Sequence, residues 1–343
     1  MDFKQTYSFD DVLLLPQYSD IESRTQVDIS SRLSHNFKLN LPVISSPMDT
    51  VTEDSMAVAM HTAGGLGVIH RYNTIEEQVA LIKKSSIGGA GQFVAGAIGA
   101  TGDYLSRARA LREAGTRIIC VDVAHGHHAL MKNALTNLRS EFGNDIHIMA
   151  GNVATLEAFD ELASWGADSI RVGIGGGSIC STRMVSGHGM PTFQSILECS
   201  RTTYDIKIIA DGGMKTTGDM VKALAAGADF VMVGSMLAGT KETPGETFIG
   251  KEQKKYKVYR GMASTAAQKS WRGKSSTPEG VSTTVPYRGS VKNILEDIAG
   301  GVRSGLSYSG ARSLEELRGR ASFVRQSSAA QLESNTHILW RNK

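Results

Sequence analysis

The chain is poor in the residues that would mark several function classes: it holds 3 cysteines, 7 prolines and 3 tryptophans in 343 residues. Cys120, Cys180 and Cys199 show no CxxC spacing, and any disulfide would leave one thiol over, which excludes a disulfide scaffold and points to a reducing compartment. No apolar run approaches the roughly 18 residues of a membrane helix, and Met1-Asp-Phe-Lys-Gln-Thr-Tyr7 lacks a basic region followed by an apolar core. A cytoplasmic protein without membrane partners is expected. Neither sign of charge dominates, with 37 Lys and Arg against 34 Asp and Glu, so nucleic acid is not an expected partner. The densest basic run, 251–257, is broken by Glu252 and Gln253 and reads as a solvated hairpin.

What is abundant is glycine, 37 residues, within a composition that is 41% hydrophobic and 21% charged. From Leu41 onward short apolar or β-branched runs, each ending in Gly, Ser, Asp or Asn, alternate with longer amphipathic segments. The runs 41–45, 65–69, 93–98, 117–123, 146–151, 169–173, 206–211 and 230–234 predict parallel strands. The segments 74–84, 105–114, 155–165 and 216–226 predict crossover helices, the first opened by a capping box of Thr74 and Glu77. About eight strands suit a single (β/α)8 barrel spanning 1–343, whose usual size is about 250 residues plus insertions. A doubly wound open sheet is the competing architecture. Motif placement favours the barrel: Ser45-Ser-Pro-Met-Asp49, Asp122, Asn152, Cys180, Asp211-Gly-Gly213 and Gly234-Ser235 all fall at strand ends, where a barrel carries its chemistry.

The stretch Gly173-Ile-Gly-Gly-Gly-Ser-Ile-Cys-Ser-Thr-Arg183 sets a cluster of glycines beside one thiol and two hydroxyls. Glycines let backbone N–H groups close on a phosphate, and the thiol would stand next to whatever the phosphate carries. The competing reading is a glycine-rich turn with a buried cysteine. The polar segment 241–287 has little periodicity and is expected to form a lid over the barrel mouth. The runs 291–305 and 313–320 read as closing helices, and 326–343 gives no assignment.

Several runs resemble, in order, the inosine monophosphate dehydrogenase and guanosine monophosphate reductase family. They are Phe9-Asp-Asp-Val-Leu-Leu-Leu-Pro16, Ser45-Ser-Pro-Met-Asp-Thr50, Gly64-Gly-Leu-Gly-Val-Ile-His70, Asp122-Val-Ala-His-Gly126, Ala150-Gly-Asn-Val153, Gly173–Arg183, Ile209-Ala-Asp-Gly-Gly213, Val233-Gly-Ser235 and Tyr259-Arg-Gly-Met262. The resemblance implies a (β/α)8 barrel, a homotetramer, a purine mononucleotide substrate and a nicotinamide cofactor. It implies Cys180 as the nucleophile at purine C2, with Thr182 and Glu279 moving protons. A solvated surface carboxylate is the alternative for Glu279. By the same resemblance Asp211 would hold the ribose hydroxyls, and Ser178, Gly213, Gly234, Ser235 and Tyr259 would bind the phosphate. Ser46, Met48 and Asn152 would lie beside the nucleotide, with core packing the alternative for Met48, and Gly177, Gly261 and Met262 would complete the substrate-binding set. Asp122, Ala124 and Gly126 would face the cofactor. A monovalent cation, K+, would sit on the backbone carbonyls of Gly175, Gly177 and Cys180.

The two activities of the family differ at C2. The resemblance implies that a dehydrogenase hydrolyses its covalent adduct with a long flap carrying an Arg-Tyr pair, whereas a reductase releases ammonia. Between Met262 and Glu279 this chain has no Arg-Tyr dipeptide, and Trp271-Arg272 is its nearest substitute. Nor does it carry paired CBS modules between the second helix and third strand, where 83–92 passes straight through. Phe323-Val-Arg-Gln326 and Glu333 to His337 lean the other way, resembling the dehydrogenase C-terminal segment. The expectation is therefore an NADPH-dependent reduction of GMP to IMP, with NAD+-dependent oxidation of IMP to XMP as the first alternative. An inactive purine-nucleotide-binding barrel is the second.

Overall fold

The computed structural model describes residues 3–334. Eight strands, β1 (Val43–Ser45), β2 (Leu66–Ile69), β3 (Val94–Ile98), β4 (Ile118–Asp122), β5 (His147–Val153), β6 (Ser169–Val172), β7 (Lys207–Asp211) and β8 (Phe230–Val233), form one closed parallel sheet. Closure is made by β8 on β1, with Val231 opposite Val43 and Val233 opposite Ser45. An open sheet is thereby excluded: the molecule is a (β/α)8 TIM barrel.

Apart from β6, whose inward residues are Ser169 and Arg171, the strands are largely apolar on both faces because each serves two cores. Ile44, Leu66, Val68, Ala95, Ala97, Ile118, Cys120, Met149, Ile209, Phe230 and Met232 fill the barrel interior. Their alternates, among them Val43, Ile69, Val94, Ile119, Ile148, Ile170 and Val231, pack against the surrounding helices. A hairpin of Ser31–Arg32 and Lys38–Leu39 drives Leu33, Phe37 and Leu39 into the interior cluster, Phe37 meeting Phe93 edge to face. This plugs the end where the strands begin, so the opposite end is left for a site.

The outer ring includes α1 (Asp54–Thr62), α2 (Ile75–Ser85), α3 (Tyr104–Glu113), α4 (Ala129–Phe142) and α5 (Leu156–Ser164); α6 (Thr182–Ser186) is a short turn in the loop after β6, and the ring continues with α7 (Thr192–Cys199) and α8 (Thr217–Ala225). The capping box at α2 forms, Thr74 Oγ1 accepting from Glu77 N at 3.1 Å and Glu77 Oε2 from Thr74 N at 2.8 Å. From α2 a single wide turn, Ser86–Ala90, leads into β3, with Gly89 at φ 111° making a bend that side-chain-bearing residues resist. Among the described residues no helix is long and apolar enough to cross a membrane.

The segment 241–287 is more ordered than its composition predicts. Phe248–Ile249, Lys255–Arg260 and Ser282–Pro286 form an antiparallel sheet, and α9 (Thr265–Arg272) lies between its last two strands. A hairpin does form around 251–257, Phe248–Ile249 pairing with Lys255–Tyr256, but the run is not solvated throughout. Alternation is masked because one inward residue is a lysine: Lys257 is buried, its Nζ donating to the Thr243 carbonyl at 2.5 Å. After the lid come α10 (Val291–Tyr308) and α11 (Leu314–Arg320), near the expected bounds. Phe323–Arg325 then pairs antiparallel with Val12–Leu14, and α12 (Ser328–Glu333) follows in the unassigned tail. His337 lies outside the described residues.

At the closed end His147 is buried, its Nε2 within 2.8 Å of Ser169 Oγ, and burial pushes its imidazole down to about 4 from an ordinary 6.5. The native state thus refuses a proton that the unfolded chain accepts. The stability is complete above pH 6.5 and drains away as pH falls toward 4, by up to roughly 3 kcal/mol from this group. Urea denaturation at pH 7 and pH 4.5 should show the loss, and His147→Gln should shrink it; an unchanged pH dependence in the variant would refute the assignment.

Candidate active site

The open end is built by backbone contacts that only glycine permits. A Cβ on Gly173 would lie 2.0 Å from the Asp211 carbonyl, and one on Gly176 would lie 2.6 Å from Thr192 Oγ1. The loops after β6 and β7 therefore run back to back. Gly234, after β8, faces Met48 Sδ, Ser46 Oγ and the Tyr259 hydroxyl, each 3.1–3.4 Å from where its Cβ would be. Here the first and last strands meet the lid. Tyr259 is buried with its hydroxyl 3.5 Å from Ser178 Oγ, and burial raises its phenol above the ordinary value, so it stays a donor.

Cys180 is half-buried, whereas Cys120 and Cys199 are buried and pushed up by burial to about 11 and about 12. Those two are held as thiols, unsuited to nucleophilic work. The Cys180 N–H donates to the Gly177 carbonyl at 3.1 Å, turning the loop. Its Sγ donates to Thr182 Oγ1 at 3.2 Å, and Thr182 Oγ1 donates to Glu279 Oε2 at 2.9 Å. A thiol, a hydroxyl and a carboxylate from two distant segments thus form one hydrogen-bonded line. The lid is stitched to the loop by Ser181 N to the Glu279 carbonyl and Val281 N to the Ile179 carbonyl, both 3.0 Å. Glu279 is therefore no solvated surface carboxylate.

One central residue escaped the sequence reading. Arg171, on β6, is 6% exposed; its Nη1 donates to Asp122 Oδ1 at 2.6 Å and its Nη2 to Asp211 Oδ2 at 3.0 Å. Burial works against its charge, yet Asp122 and Asp211 hold the guanidinium protonated well above its ordinary value. Asn152 Nδ2 adds a bond to the same Asp211 oxygen at 2.9 Å, and Asp211 Oδ1 carries none of these bonds. The available signal was an arginine inside a four-residue buried strand, a place where a charge persists only if paired.

These groups line a cleft of about 850 Å³ at the barrel mouth. Ser46 and Met48 enter after β1, Asp122 and Ala124 after β4, and Asn152 from β5. Gly175, Gly177, Ser178, Cys180 and Thr182 come from the cysteine loop, Asp211 and Gly213 from β7, and Gly234 and Ser235 from β8. The lid supplies Tyr259, Gly261, Met262 and Glu279. Met48 also packs against the core, so both of its readings hold. Gly126 is the exception: it is not in the lining, and its N–H donates to the Asn152 carbonyl at 2.7 Å behind the wall. At the cysteine loop, Arg183 passes between Gly175 and Gly189 and donates to the Met190 carbonyl at 2.6 Å. In the same loop the Gly177 carbonyl accepts from the Cys180 N–H.

The lid is anchored to the barrel twice more. Arg260 binds Asp49 Oδ2 at 2.5 and 3.0 Å, and Trp271 stacks on Tyr72 with centroids 6.1 Å apart. Beside that stack a second cavity of about 310 Å³ joins the first, with Arg71, Val123 and Arg272 common to both.

Fold and site together define a (β/α)8 barrel with a glycine-built cleft and a half-buried thiol at its mouth. Residues 6–337 match the IMP dehydrogenase / GMP reductase domain. An inosine-5'-monophosphate dehydrogenase from Nitrosopumilus maritimus is 35% identical, covering 98% of this chain and 99% of that protein. A GMP reductase from Leishmania major is 32% identical, with 96% of each covered. The crystal structure of a cysteine-to-alanine variant of GMP reductase from Trypanosoma brucei, in complex with guanosine 5'-monophosphate, superposes with a TM-score of 0.91 at 32% identity and 98% coverage of both chains. The chain belongs to the IMP dehydrogenase / GMP reductase family, and is a purine nucleotide oxidoreductase working with a nicotinamide cofactor.

Proposed function

We propose that the protein reduces GMP to IMP and ammonia with NADPH. The observation that carries this reading is the Cys180–Thr182–Glu279 line under a lid that lacks an Arg-Tyr pair. The glycine cradle holds the phosphate, and Asp211, fixed by Arg171 and Asn152, offers a carboxylate oxygen to the ribose. Cys180 gives its proton through the Thr182 hydroxyl to Glu279 and attacks C2. Thr182 and Glu279 return protons to the 2-amino group, which leaves as ammonia and breaks the C2–N bond. When bound, NADPH would supply the hydride that C2 takes up. The sulfur then departs as a thiolate, releasing IMP, and a proton from solvent restores the resting Cys180 thiol. Asp122 and Ala124 stand where a nicotinamide riboside would face the base, and the Arg71 and Arg272 guanidiniums between the two cavities suit the cofactor's phosphates.

Arg272 also favours a second reading. It lines the same cleft as Glu279, where a guanidinium could activate water for an IMP dehydrogenase using NAD+. No tyrosine accompanies it in the sequence, and an adduct that water cannot attack stalls. The deciding assay offers GMP with NADPH or NADH and IMP with NAD+ or NADP+. Oxidation of NADPH with release of ammonia is the expected result; XMP formation from IMP would establish the dehydrogenase, and binding without turnover an inactive barrel. Glu279→Gln should retain hydride exchange between IMP and cofactor while losing net deamination by about a hundredfold or more, as expected for one proton-transfer group. Equal loss in both would reduce Glu279 to a structural contact.

A further inference from the structure

Glu279 sits in a segment whose own side chains do not explain its placement. Gly273 ends α9 in a left-handed turn, and Lys274 and Ser275 are exposed. Yet Glu279 is held within 2.9 Å of Thr182. The group that spans the gap is Gln268 on α9, which is 5% exposed and lines the cleft. Its Oε1 accepts from Ser276 N at 2.8 Å and Ser276 Oγ at 3.0 Å, gripping the chain three residues before the glutamate. Its Nε2 donates to the Ala263 carbonyl at 2.9 Å, the same oxygen that accepts from Glu279 N at 3.1 Å. One buried amide thus fixes the segment on both sides of Thr277-Pro278. The helix that carries it is itself fixed, by Ser264 Oγ accepting from Ala267 N and by the stacking of Trp271 on Tyr72.

We propose that Gln268 is the positioning residue that sets Glu279 against Thr182, and through Thr182 governs the reactivity of Cys180. The inference rests on the proton-moving roles proposed above for Thr182 and Glu279, but not on the direction of the reaction. A buried amide suits the task because it donates and accepts at once. Methionine has similar volume and neither function, so Gln268→Met removes all three bonds of the amide, to the Ala263 carbonyl and to Ser276 N and Oγ, without opening a cavity. Ser276→Ala removes one of the two bonds to Oε1 and keeps the backbone one.

The test reads Cys180 directly. Alkylation by iodoacetamide, followed by mass spectrometry of the modified peptide, is compared in wild type, Glu279→Gln, Gln268→Met, Ser276→Ala and the double variant Gln268→Met/Glu279→Gln. Gln268→Met should reproduce the roughly tenfold change in alkylation rate produced by Glu279→Gln, Ser276→Ala should show a smaller change in the same direction, and the double variant should equal Glu279→Gln alone. In turnover, Gln268→Met should lower kcat about tenfold or more with the nucleotide KM within about threefold, the pattern of a group acting in the transition state. Additive effects in the double variant, a loss carried by KM, or alkylation rates indifferent to Gln268 and Ser276 would overturn the proposal. If no nucleotide is turned over while the alkylation pattern holds, the proposed function fails and this inference stands.

Discussion

Cys180→Ala should abolish turnover, with a fall in kcat of at least about 10⁴-fold, while nucleotide affinity stays within roughly tenfold of wild type, or about 1.4 kcal/mol. The split follows from the architecture. The cradle proposed for the phosphate is drawn from backbone and hydroxyl groups of the loops after β6, β7 and β8, and the carboxylate proposed for the ribose, Asp211, is fixed by Arg171 and Asn152; none of these bonds is made by the sulfur. Only the covalent step does. Cys120 and Cys199 cannot substitute, being buried and held as thiols. Single-turnover kinetics with titration of the bound nucleotide would check both halves. Substantial residual turnover would remove the covalent mechanism, and a collapse of affinity would show that the loop itself depends on the cysteine.

Arg171→Met carries the second large effect, on stability and binding together. The guanidinium is the single cation bridging Asp122 and Asp211 from within the barrel, and removing one member of such a buried set typically costs about 3–5 kcal/mol. Two carboxylates would then face each other across β6, with Arg71 reaching only the side of Asp122, its Nη2 on that residue's carbonyl at 3.1 Å. Chemical denaturation should show the loss, nucleotide affinity should fall with the displaced Asp211, and Asp122→Asn should partly restore stability by removing one of the repelling charges. Arg171→Lys should be an incomplete repair, since one ammonium cannot reproduce the fork that holds both carboxylates. A fully stable Arg171→Met variant would mean that water solvates these groups and that the network is weaker than its geometry.

The barrel was legible because its signal is periodic and redundant. Every one of the eight apolar runs became a strand within a few residues of its expected bounds, and each turn ended in the residue types that strand ends favour. The three-stranded sheet of 241–287 was not legible for a specific reason: its inward positions include Lys257 and its outward ones include Phe248, Ile249 and Val258, which inverts the polarity pattern that marks a half-buried sheet. Arg171 was hidden by its neighbours, since within Ser169–Val172 it reads as one charge in a strand and gives no hint of two carboxylates from other strands. Gly126, which the resemblance sets toward the cofactor, lies outside the lining of the cleft, with its N–H on the Asn152 carbonyl.

By itself the sequence determined the eightfold alternation, the glycine-rich loop with its thiol, and the family to which these motifs belong. All of these are written in local order and spacing, which the chain carries before it folds. Tertiary structure alone decided that Glu279 meets Thr182 across 97 residues, that Arg171 joins Asp122 to Asp211, and that Gln268 braces the lid. Such contacts arise from barrel closure and lid docking, where burial forces each charged or polar group to find a partner far away along the chain, and no local pattern names that partner.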